Sequence, residues 1–110
     1  MTEIKIFRNS LGNIVKGELS GHTMNAPEGE DIVCASVSSA LYMALNGVEK
    51  VVGEKFGYEI DDGYAFFVLS ADIDDDKRKY TDVLLESMFL FFKDLSAQYP
   101  QNVNITELEV

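Results

Sequence analysis

One stretch constrains this chain more than any other. Leu84, Leu85, Met88, Phe89, Leu90, Phe91, Phe92 and Leu95 crowd into twelve positions. At helical periodicity they cover more than one face, and a helix apolar nearly all round must be covered nearly all round. A single sheet in a chain of 110 residues does not easily do that. The expectation is a homodimer that buries the excess, with a deeper core in one chain as the alternative.

The rest of the pattern supplies the sheet. Residues 2–8 and 13–20 are β-like, and the turn formers of "NSLGN" between them read as a hairpin loop. Residues 21–30, with Gly21, Pro27 and Gly29, read as an irregular loop. Asp31 is a favoured N-cap, and Val33, Val37, Ala40, Ala44 and Val48 follow at helical spacing. Asn46-Gly47 should stop or kink that helix, with one more short turn in "VEKVVG". Phe56, Tyr58 and Ile60 alternate, "DDG" at 61–63 turns the chain, and "YAFFVLS" returns it. That returning strand is apolar on both faces and should be central. The acidic run "DIDDDK" at 72–77 suits the entry to a second helix over about 76–99, which Pro100 ends. Val103 and Ile105 read as a last strand. The order ββ-α-ββ-α-β predicts an α+β two-layer sandwich, mostly antiparallel, as one domain over residues 1–110.

Composition excludes several function classes. With 46% hydrophobic residues the chain can bury a core. Its net charge of −10 argues against a phosphate-binding surface and so against nucleic acid. The same charge would attract a basic protein. "MTEIKIF" lacks the pattern of a signal peptide, and no apolar run reaches the length of a membrane span, so no membrane partner is expected. One cysteine permits no internal disulfide, which agrees with the cytoplasm. No cofactor is called for. One histidine and one cysteine make no standard zinc set, and "DIDDDK" lacks the glycine and distal glutamate of a calcium loop. Gly53 and Gly57 are not followed by the Lys-Ser/Thr of a phosphate loop.

The chemistry concentrates in His22 and Cys34, the only residues of their kinds. If Asp31 is the N-cap, Cys34 falls at N3, where free N–H groups and the helix dipole favour a thiolate. Those N–H groups could also hold an oxyanion. Asp31, Cys34 and Ser38 then share one helix face. Plainer readings stand beside this one. Cys34 can be a small core hydrophobe, His22 a surface residue, Asp31 only a cap, and Ser38 a back-bonding serine.

"GH" followed by a loop and "GEDIVCASVS" resembles the ribosomal-processing cysteine proteases of the Prp family. "ALNGVEKVVG", both hairpins and the aromatic second helix extend the likeness along nearly the whole chain. The resemblance implies a cytoplasmic, dimeric cysteine endopeptidase. Its partner would be the N-terminal extension of a large-subunit ribosomal protein, cut after a hydrophobic, aromatic-rich segment. His22 would be the base and Cys34 the nucleophile, with Gly21, Asp31 and Ser38 in support and residues 23–30 as a lid. Thr23 stands where many members carry a smaller residue. The alternative is a non-catalytic dimeric ribosome-assembly or protein-binding module.

Overall fold

The structure is a computed structural model that describes residues 1–21, 28–61 and 63–110, with residues 28–31 described by their backbone. Five strands and two helices follow one another as the sequence pattern predicts. They are β1 (Thr2–Arg8), β2 (Ile14–Ser20), α1 (Glu28–Asn46), β3 (Gly57–Asp61), β4 (Tyr64–Val68), α2 (Asp75–Gln98) and β5 (Val103–Glu109). The strands form one sheet in the order β3-β4-β2-β1-β5. Every pairing is antiparallel except β1 with β5, where Thr2 lies opposite Val103. Both helices pack on one face, which makes the two-layer α+β sandwich.

Alternation along the strands sets the two faces. Ile4 and Ile6 point inward beside Leu19 and Gly17, and Ala65 and Phe67 continue that surface. The opposite face carries Lys5, Glu18 and Ser20 in β1 and β2, and it continues through Tyr64, Phe66 and Val68 in β4. β4 is therefore flanked on both edges, as expected for a buried strand, but β2 is the middle strand. The outward apolar side chains of β4 stay partly open to solvent because both helices lie on the other face.

One helix boundary differs from expectation. α1 begins at Glu28, so Asp31 lies within the helix and residues 28–30 are not loop. Glu28, Glu30 and Asp31 together suit the positive end of the dipole, which lets the helix start ahead of the last polar residue despite Gly29. At its other end α1 stops at Asn46, as Asn46-Gly47 predicts. The chain widens there into a π-helical turn, Gly47–Val52, which Gly53 closes at φ +83°. Gly47 also serves close packing: a Cβ there would stand 2.8 Å from the Leu84 side chain of α2. By length and composition alone, Ile32–Val52 is apolar enough to cross a membrane, unlike the sequence expectation. Val33, Val37, Leu41, Ala44 and Val48 are nevertheless packed into the core of this domain.

α2 starts where the acidic run predicts, with the Asp74 carboxylate accepting from the Lys77 N–H at 3.0 Å. Leu85, Met88, Phe89, Phe92 and Leu95 are buried. Leu90 is 61% exposed, and Phe91 beside it is also open. At the far end of the sheet, Arg8 donates to both carboxylate oxygens of Glu86, at 2.6 and 2.9 Å, and to Glu107 at 3.2 Å. Its guanidinium also lies over the Phe89 ring. The Glu86 carboxylate holds the Arg8 pKa above its ordinary value. This cluster ties β1, β5 and α2 together at one corner.

Gly17 gives a direct test of the core. A Cβ there would collide with the Phe67 ring, standing 2.7 Å from Cζ, and that ring is fully buried. Gly17→Ala is expected to lower unfolding stability by about 1–3 kcal/mol, measured by denaturant titration.

Candidate active site

The site is built from α1 and the end of the sheet where β1 begins. Cys34 projects from the second turn of α1 and is only 2% exposed. Its Sγ lies 3.5 Å from the Thr2 hydroxyl, and either atom can donate in that contact. Thr2 points inward from the first position of β1, in register with Ile4 and Ile6. The backbone N–H of Thr2 donates to the Asn102 carbonyl at 2.8 Å, which anchors that end of β1.

The helix start changes the electrostatics expected for Cys34. Six residues into α1, the thiol lies beyond the first turn, where the dipole acts most strongly. An N–H at this depth has a carbonyl partner one turn earlier, so it is not a free oxyanion donor. The first-turn argument for this thiol therefore does not hold.

Cys34 and Ser38 line the same cleft, as their spacing of one turn predicts. Ser38 makes no hydrogen bond to another described residue; the back-bond to a carbonyl is made by Ser36, to Ile32 at 2.9 Å. The cleft holds about 460 Å³ of space, counting its open mouth. Val37, Leu41 and Tyr42 of α1 form one wall. Leu19, Ile60 and Ala65 form the other, with Ser20, Asp61 and Tyr64 at strand ends. Past Tyr42 and Ile60 it meets a second groove lined by Asn46, Glu49 and Tyr58. The cleft thus offers an apolar, aromatic trough with a thiol at one end.

Gly21 is placed by backbone demands. Its φ is +94°, a conformation that favours glycine, and a Cβ would overlap the Met1 carbonyl oxygen. Its N–H donates to the Gly63 carbonyl at 3.2 Å. His22, Thr23 and the rest of residues 22–27 lie outside the described residues, as does the Asp31 side chain, so neither the histidine nor a lid is located. Sequence reasoning missed Thr2. The only available signal was a polar residue in phase with Ile4 and Ile6, and that alternation ordinarily marks the hydrophobic core.

Comparison with known proteins fits this geometry. The family model for the cysteine protease Prp matches residues 1–104. The ribosomal processing cysteine protease Prp of Bacillus subtilis is 29% identical over 108 residues, 96% of either chain. A crystal structure of SMU.848 from Streptococcus mutans superposes with a TM-score of 0.87 at 26% identity, covering 100% of this chain and 96% of that one. The Staphylococcus aureus protease Prp, solved in complex with a substrate peptide, shares the fold at a TM-score of 0.86 and 21% identity. That alignment covers 97% of this chain and 99% of the other. A family match that runs through all but the last six residues makes this chain a member of the cysteine protease Prp family.

Proposed function

We propose that this chain is a cytoplasmic endopeptidase that removes the short N-terminal extension of a large-subunit ribosomal protein, with Cys34 as nucleophile and His22 as base. The observation that carries this reading is the Cys34 thiol at the end of an apolar, aromatic cleft in a chain of this family. Cys34 and Tyr42 are eight residues apart on α1, about 12 Å at helical rise. That span suits about three or four residues of extended peptide. Leu41, Tyr42 and Ile60 suit apolar or aromatic substrate side chains.

The chemistry is acyl transfer. Cys34 Sγ attacks the scissile carbonyl as its proton passes to His22. The C–N bond then breaks, His22 returns the proton to the leaving amine, and a thioester remains. His22 next takes a proton from water, whose oxygen attacks the thioester and frees the acid and the thiol. Gly21 supports the approach to His22. Asp31 and Ser38 border the nucleophile on α1, with Asp31 orienting the histidine in this reading. Incubation with the extended ribosomal protein, read by mass, tests the whole. Cys34→Ala and His22→Ala should each cut the rate at least about a thousandfold. Partner binding that survives Cys34→Ser, with no peptide released by the unaltered chain, would instead mark a non-catalytic assembly factor.

A ribosomal protein is typically basic, and this chain carries a net charge of −10. Opposite charge speeds encounter and is screened by salt. kcat/KM should therefore fall as ionic strength rises, and a flat response would remove electrostatic steering from this account.

The same reading includes a homodimer. A groove between α1 and α2 is lined by Ile32, Ala35, Ser36, Ser39, Ala40, Met43 and Phe91, with no charged side chain among them. Ile32 is 60% and Met43 65% exposed. A charge-free patch on so acidic a chain favours a second copy, because it spares the pair like-charge contact at the interface. The small residues permit close helix approach. Light scattering should give twice the chain mass at micromolar concentration, and Phe91→Lys should give one chain mass. A clean monomer without the substitution overturns the dimer.

A further inference from the structure

We propose that Thr2 is a positioning residue for the Cys34 thiol, an inference that rests on the reading of Cys34 as the nucleophile. Three observations converge on it. First, Thr2 is 3% exposed at an inward position of β1, where its neighbours in phase are Ile4 and Ile6. A valine would fill that space equally well, and a buried hydroxyl without a partner is costly. Second, the partner this hydroxyl finds is Cys34 Sγ, at 3.5 Å, and it is the one hydrogen-bond partner of that sulfur among the described residues. Third, the residue just before Thr2 supports the other half of the site. The Met1 carbonyl occupies the space where a side chain on Gly21 would lie, and Gly21 leads directly into His22. The start of β1 is thus wedged between the nucleophile and the residue that precedes the base.

The hydroxyl suits both protonation states of the sulfur. It can accept from the thiol S–H, or turn its own O–H toward Sγ once His22 has taken the proton. The O–H keeps its proton throughout, so Thr2 exchanges nothing with substrate. It holds Sγ at one orientation at the end of the cleft and stabilises the charge that develops on sulfur as the proton leaves.

The test uses the full chain with Thr2→Val and Thr2→Ser. Valine keeps the shape and removes the hydroxyl, whereas serine keeps the hydroxyl and removes the methyl. Two rates are read: iodoacetamide alkylation of Cys34 at fixed pH, and cleavage of the extended ribosomal protein. Thr2→Val should slow alkylation and lower kcat about tenfold, with KM within about twofold. Thr2→Ser should remain within about threefold of the unaltered chain in both. Equal rates in Thr2→Val and the unaltered chain overturn the proposal, as does Thr2→Ser falling as far as Thr2→Val. If valine unfolds the chain, Thr2→Ala read against Thr2→Ser replaces it. If the unaltered chain cleaves nothing, the peptidase reading fails, and the alkylation rates still decide the role of Thr2.

Discussion

The register of β1 against its two neighbours decides where the site can form. Glu3 lies opposite Ser20 on one side, and Thr2 opposite Val103 on the other. Side chains alternate with a period of two, so a slip by one residue would turn Thr2, Ile4 and Ile6 outward together. That slip would empty the core beneath α1 and remove the hydroxyl from Cys34 at the same time. Packing and site geometry therefore depend on one set of hydrogen bonds. The Arg8 cluster secures the other end of the same strand to β5 and α2.

The sheet's ends explain why the cleft lies where it does. Thr2, Ser20, Asp61 and Tyr64 all sit at strand termini at one end of the sheet, and residues of α1 line the same cleft. Strand ends leave a trough that the middle of a helix-covered sheet cannot provide. Ala65 is a small residue among larger ones on that surface, and it lines the trough. The elements that build the core thus also build the walls that a peptide would meet.

Much of this was legible from sequence, for identifiable reasons. Strict alternation and turn formers gave β1 and β2 to within a residue, and the acidic run marked the start of α2. Cys34 and Ser38 reached one cleft because a spacing of four needs only a helix, not a known helix start. The start itself was misplaced, since Asp31 and Glu28 are both plausible first-turn residues and local chemistry does not rank them. Asn46-Gly47 marked the end of α1 correctly, but the second task of that glycine was not legible: it answers a close approach by Leu84, which is tertiary information. Thr2 was illegible because its partner is 32 residues away, and no local pattern distinguishes a threonine aimed at a sulfur from one aimed at the core.

The shift of the helix start alters how a thiol at this position can be made reactive. A cysteine in the first turn draws on free N–H groups and the dipole, both of which are properties of the helix alone. A cysteine in the second turn has neither. Its reactivity must then come from groups supplied by other elements. In the proposed mechanism His22, from the segment after β2, is one such group, and the Thr2 hydroxyl from β1 is another. Both depend on tertiary structure, so the chemistry of this site is inseparable from the correct assembly of the sheet. Unfolding of β1 alone would leave Cys34 as an ordinary cysteine on a helix.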